Sequence, residues 1–207
     1  LIIFFIYFER VYLLFIPTHR IIANHIYENL KDSLDFKLSK PMLQYGNMKP
    51  DVAPSLKSKK HYMNPTFDFV LDEIVKLIDD GLHEDLISIN AFSVRLGVIT
   101  HFLSDFFCLP HHDRTYFSDK LKEHMIYEKN LHYKFKEFSG LDKITLPSLK
   151  TLDKDGIKAL IEELHHDYVN RPKGYENDIV SSINVSSAIG LLIVENSILY
   201  EPQLIAV

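Results

Sequence analysis

The sequence predicts an all-α fold built as one multi-helix domain. Apolar residues recur at the three- and four-residue steps of a helix face in segment after segment. His101 and Asp105, and again His124 and Glu128, stand four residues apart, which places each pair one turn apart on a single helix face. The 207 residues carry 46% hydrophobic content, seven glycines, no internal repeat and no low-complexity tract. One sizeable core suffices, and nothing demands a second domain.

Each element has its own justification. Leu1 to Phe8 and Val11 to Ile16 are hydrocarbon apart from Tyr7 and Tyr12, which suggests a signal core or a membrane anchor. Glu9-Arg10 interrupts that run and no A-x-A-type cleavage site follows, so residues 1–17 equally fit a truncated leader or a mis-called start, with the domain proper beginning near Pro17. A genuine leader would make the protein secreted or membrane-associated; otherwise it is cytoplasmic. The first helix of the domain is expected at about 18–31, where His19 shares a stripe with Ile22, Ala23, Ile26 and Leu30 and so turns its ring toward the core. Residues 32–64 read as the longest connection, and a loop of that length is often functional. It supplies Asp51, after Pro50, and His61, after the basic run Lys57-Ser58-Lys59-Lys60.

A helix at about 65–80 precedes one at about 88–108, in which Val94, Leu96, Val98, Ile99, Phe102, Leu103, Phe106 and Phe107 surround His101 and Asp105 with hydrocarbon. That is the pattern of a central helix whose polar pair needs a partner inside the protein. Pro110 should end it and return His111 on a short loop. In the helix at about 119–138, His124 and Glu128 continue the stripe of Leu121, Leu131 and Phe135, while Lys122, Glu123, Lys129 and Lys136 lie largely off it. A glutamate on an apolar stripe is costly unless a cation or a metal compensates it. A helix at about 154–169, acidic at Glu162, Glu163 and Asp167, and a last one at about 175–198, apolar at Ile179, Val180, Ile183, Ala188 and Leu191 to Ile193, complete the chain. The last helix reads as core and contributes no candidate ligand.

The ordered set His19, Asp51, His61, His101, Asp105, His111, His124 and Glu128 offers the nitrogen and oxygen donors that zinc takes. Any one member has an ordinary reading: 11 histidines place some beside a carboxylate by chance, and Asp51 alone could be a turn aspartate after Pro50. Chance assembles the whole set far less readily. Its order and spacing resemble the bacterial zinc-dependent phospholipase C family, whose all-helical fold is shared with the single-strand-specific zinc nucleases. The stretches that carry the resemblance are Thr18-His19-Arg20-Ile21-Ile22-Ala23-Asn24, Gly46 to Asp51, Lys60-His61-Tyr62, Leu96-Gly97-x-x-x-His101-Phe102-Leu103-x-Asp105 leading to Leu109-Pro110-His111, and His124-x-x-Tyr127-Glu128. The closing His-x-x-x-Glu resembles the phospholipase branch, since the nuclease branch usually ends in Asp.

The resemblance implies a phospholipase C-like domain over residues 18–207. It implies one zinc held by Asp51, His61, His101 and Asp105, and a second held by His111, His124 and Glu128. A third would sit on His19 with Asp105 as a bridge. In the family an N-terminal tryptophan completes that third ion; this chain has no Trp, so water or another side chain must do so. Two zinc ions are therefore expected, with room for a third. The implied activity is zinc-dependent hydrolysis of a phospholipid or another phosphodiester, with a membrane surface as a candidate partner. Asp51 is the expected group for orienting or deprotonating the attacking water, because a loop containing Gly46 and Pro50 could leave one carboxylate oxygen free.

Two alternatives stand beside this reading: a single-strand nuclease of the same fold, and a non-catalytic zinc- or lipid-binding helical protein. The net charge of −5 offers no basic field for duplex nucleic acid. The lysine run before His61 is a local exception that would suit an anionic phosphate substrate. The headgroup stays open, because Ser58 stands where choline-selective relatives place an aromatic residue. His112 reads as a solvated loop imidazole. His25, His83, His165 and His166 read as surface or second-layer residues, and His132 as a partly exposed residue able to hydrogen-bond a ligand. Cys108 is the only cysteine, so it forms no intramolecular disulfide and reads as a small buried residue.

Overall fold

A computed structural model of the chain describes residues 2–33, 37–81, 87–112, 120–139 and 151–199. Among these residues there are nine helices and no strand, as the all-α expectation requires. They are α1 (Ile2–Ser33), α2 (Lys40–Val52), α3 (Pro54–Lys57), α4 (Met63–Asp80), α5 (Ile89–Phe106), α6 (Leu109–His112), α7 (Leu121–Glu137), α8 (Lys154–Asn170) and α9 (Tyr175–Leu199).

Helix α5 is central for the reason its sequence gives. Phe92, Leu96, Ile99, Phe102, Leu103 and Phe106 are all buried, and so are its polar residues Thr100, His101 and Asp105. Its start is marked by Ser88, whose hydroxyl accepts a hydrogen bond from the amide of Ala91 at 3.2 Å. Helix α9 is long and apolar enough to cross a membrane, yet most of that stretch is buried within the bundle. It packs against α5, α1 and α4 as a core helix. Two of its buried serines donate to backbone carbonyls: Ser186 to Thr100 at 3.2 Å, and Ser197 to Ile193 at 2.6 Å.

Three boundaries differ from the expectation. The first helix begins at Ile2 rather than near residue 18 and runs through Pro17. A proline in a helix interior forfeits one hydrogen bond, and here the helical residues on both sides outweigh that loss. The connection expected at 32–64 contains α2 and α3. Each helix has a proline in its first two positions, Pro41 and Pro54, where the missing N–H costs nothing. The buried face of α2 is Leu43, Gly46, Asn47, Pro50 and Asp51, spaced as a helix stripe but composed mostly of residues that are not hydrocarbon. Finally, His111 arrives on the one-turn helix α6 and not on a loop. The amides of His111 and His112 both donate to the Cys108 carbonyl, at 3.0 and 2.8 Å, and Pro110 again occupies an early position.

The crossing of α2 and α5 fixes the fold around the site. A Cβ on Gly46 would lie 2.2 Å from the Val94 carbonyl oxygen, and one on Gly97 would lie 2.5 Å from that of Leu43. The two helices therefore touch backbone to backbone, closer than any side chain permits.

Candidate metal centre

Every candidate from the sequence lies on or beside a described helix, and the structure gathers all of them. His19 comes from α1, Asp51 from the last turn of α2, His61 from the segment between α3 and α4, and His101 with Asp105 from α5. His111 comes from α6, and His124 with Glu128 from α7. The side chains of His19, Asp51, His101, Asp105 and Glu128 are buried, and those of His61, His111 and His124 are partly so.

Asp105 is the hinge of the larger group. Its Oδ2 lies 2.6 Å from His61 Nδ1 and 3.3 Å from His101 Nε2, whereas its Oδ1 lies 3.4 Å from His19 Nε2. One carboxylate thus serves imidazoles from three separate segments. Asp51 faces the same histidines from further off: Oδ1 is 3.9 Å from both His61 Nε2 and His101 Nε2, and Oδ2 is 3.9 Å from His19 Nε2. In the smaller group, Glu128 Oε1 lies 2.9 Å from His124 Nε2 and 3.3 Å from His111 Nε2. The pair on α7 is the i, i+4 pair of the sequence, and α6 swings His111 in to face it.

The tautomer of His101 is set by α2. Its Nδ1 lies 2.7 Å from the backbone carbonyl of Asn47, which can only accept, so Nδ1 carries the hydrogen and Nε2 turns its lone pair to the group. Asn47 is itself held by donating to Thr100 Oγ1 at 2.6 Å. Burial and the neighbouring His19 drive the His101 pKa well below its usual value, keeping the ring neutral. Burial also works against ionisation of Asp105, but the imidazoles of His101, His111 and His19 and the hydrogen bond from His61 outweigh it and hold that carboxyl well below the carboxylate range. Asp51 goes the other way: burial pushes it up against the pull of His19, with the Asp105 charge adding to the rise. His111 is raised to about 9, because the carboxylates of Asp105 and Glu128 overcome its burial.

Donor atoms can be grouped so that each set lies within 4.8 Å: His19, His101 and Asp105; Asp51, His61 and His101; His111, His124 and Glu128. Among the described residues, the buried side-chain atoms with no hydrogen-bond partner are His19 Nδ1, Asn47 Oδ1, Asp51 Oδ2 and Glu128 Oε2. Three of those four belong to the candidate set. Buried polar atoms normally find partners, so unpartnered atoms on three residues of the candidate groups fit a cation held there. The imidazole and carboxylate chemistry suits zinc better than a hard, oxygen-seeking ion. A cavity of about 40 Å³, lined by His19, Asp105, His111, Glu128 and Asp178 among others, lies between the groups.

The sequence model of the family described as zinc-dependent phospholipase C matches residues 18–175. The chain belongs to the zinc-dependent phospholipase C family. The matched span includes every residue of the groups above. No curated protein and no solved structure matches the chain. Zinc is thus the metal of this family, and several His and carboxylate groups here could hold it.

The remaining histidines sit around this centre. His132 lies 2.9 Å, through Nδ1, from the hydroxyl of Thr18, the residue before His19. His112 is not a solvated loop residue: it is half-buried on α6, with Nδ1 3.2 Å from His165 Nε2. His25 packs edge-on to Phe138, and His166 is exposed. His83 and the side chain of Leu121 lie outside the described residues. Cys108 is buried, as expected, and burial raises its thiol pKa well above the usual value. The sequence reading missed Asn47, which acts through a backbone carbonyl, and Asp178, a buried carboxylate on α9.

Proposed function

We propose that this protein is a zinc-dependent phosphodiester hydrolase whose substrate is a phospholipid, acting through a domain that spans residues 18–207. The observation that carries the proposal is the division of Asp105 between His19 on one oxygen and His61 with His101 on the other. A carboxylate disposed in this way suits a bridge between neighbouring ions. We assign one zinc to Asp51, His61, His101 and Asp105, a second to His111, His124 and Glu128, and a weaker third to His19 and the shared Asp105. Zinc held there would supply Lewis-acid polarisation of a phosphoryl oxygen and would lower the pKa of a bound water.

The chain's own groups supply the rest. Asp51 is the expected general base: its Oδ2 is buried without a hydrogen-bond partner and is free to orient attacking water or take a proton from it. Asn47 keeps His101 aimed, and Glu128 holds both His124 and His111 on one oxygen. A cleft of about 620 Å³ opens at His111 between Tyr62, Phe67, His112 and His165, and offers a half-apolar wall for the substrate. Lys60 is exposed beside His61 and adds positive charge near the entrance.

The test is elemental analysis of the dialysed full chain together with assays on phospholipid vesicles and on single-stranded oligonucleotides. At least two zinc ions per chain and release of a phosphorylated headgroup are expected. Turnover of oligonucleotide alone would select the nuclease, and bound zinc without turnover of either substrate would select a binding protein.

A further inference from the structure

Asp178 is a buried carboxylate in the first turn of α9, just past the end of the family match. Its Oδ2 accepts from the Leu109 amide at 3.1 Å and from the Tyr127 hydroxyl at 3.0 Å, and lies 3.7 Å from the Cys108 thiol. Its Oδ1 accepts from the Tyr168 hydroxyl at 2.9 Å. These donors are all neutral, so among the described residues the carboxylate is held in the interior by hydrogen bonds and not by a facing charge. Burying a charge on such terms is costly, and the cost is reasonable where the carboxylate defines a geometry.

The donors lie where the smaller metal group is anchored. Leu109 opens α6, two residues before His111, and Tyr127 immediately precedes Glu128 on α7. A one-turn helix such as α6 has no stability of its own and takes its position from tertiary contacts. We infer that Asp178 is the positioning residue of the His111, His124 and Glu128 group: by tying α6 and α7 to one point on α9 it sets the distance at which His111 meets Glu128. Asp178 also lines the small cavity beside both residues, so its own carboxylate lies close to the group it organises. Tyr168, from α8, braces the carboxylate on its far oxygen but stands on a helix that contributes no candidate ligand.

This inference rests on the assignment of His111, His124 and Glu128 to a zinc ion. The experiment is zinc titration of the full chain in competition with a chromogenic chelator, with thermal unfolding followed in parallel. Glu128→Gln first tests the assignment: it should remove one tightly bound zinc, and an unchanged stoichiometry would overturn the metal reading itself. Asp178→Asn should then weaken that one zinc by about 10- to 100-fold, the range for outer-layer partners of metal ligands, while the other tight zinc is unchanged. Where Asp178→Asn does not fold, Tyr127→Phe and Tyr168→Phe replace it. Each removes one hydroxyl from the same carboxylate, and Tyr127→Phe should weaken the zinc selectively while Tyr168→Phe lowers only thermal stability. A variant at Asp178 with wild-type affinity for both ions, or equal weakening of both, would overturn the positioning role.

Discussion

Asp105 shows how much of the site hangs on single atoms. Replacing one oxygen by an NH2 group in Asp105→Asn turns an acceptor into a donor facing an imidazole, on a residue buried at 5% exposure. Leaving a buried cluster uncompensated in this way costs about 3–5 kcal/mol. The variant should lose more than one zinc by elemental analysis, fall at least about 100-fold in phosphodiester turnover, and unfold at lower temperature. His111 makes a second, pH-dependent prediction. With a pKa near 9 it carries a proton at neutral pH, and that proton must leave before Nε2 can bind a metal. Zinc affinity of the smaller group should therefore rise about tenfold per pH unit up to about 9 and then level off, with a proton released on binding. Competition titrations at two pH values in buffers of different ionisation enthalpy check both parts. The pairs His101 with Asp105 and His124 with Glu128 were legible because such side chains at helical spacing within hydrocarbon have few other uses, whereas Asp51 and His61, on an expected connection, joined the set through the family resemblance. Asn47 was not legible, because it acts through a carbonyl that every residue possesses, and Asp178 was not, because its partners Leu109 and Tyr127 lie 69 and 51 positions away in the sequence.

At the scale of elements, α4, α5, α7, α8 and α9 could be read to within two residues at each end, whereas the start of α1 and the whole of α2 could not. Its inward face places Gly46, Asn47, Pro50 and Asp51 where a stripe of leucines would have announced a helix. Gly46 is there for closeness: it and Gly97 let two backbones meet. Gly97→Ala puts a methyl group against the Leu43 carbonyl, and Gly46→Ala puts one against Val94, with only backbone to yield. Each should destabilise by about 1–3 kcal/mol, the usual cost of overpacking. Each should also weaken zinc at the larger group, since α2 carries Asp51 and α5 carries His101. Thermal unfolding with and without excess zinc separates the two effects. Helix α6 was missed for a different reason: Pro110 is a stop signal for α5, but the same residue is an acceptable start for the next turn.

Over the whole molecule, the two candidate groups draw on five helices and one connecting segment. The larger joins α1, α2, α5 and the chain around His61; the smaller joins α6 to α7. Ions bound only by the folded chain add to its stability by mass action, so removing zinc with a chelator should lower the unfolding temperature substantially, and added zinc should restore it. Loss of the cooperative transition on chelation is the extreme form of that result. An unchanged unfolding temperature would mean that the donors do not bind metal in the folded state.

The contact between α2 and α5 also bears on which ions the larger group should admit. Calcium takes six to eight oxygens at about 2.3–2.6 Å and needs a cage able to swell. Helix crossings ordinarily provide such give through side chains that change rotamer. At Gly46 and Gly97 a Cβ would fall almost on the neighbouring carbonyl oxygens, so the helices that carry Asp51 and His101 already meet backbone to backbone. The larger group should therefore hold zinc in preference to calcium, an outcome that competition dialysis of the full chain against the two ions checks.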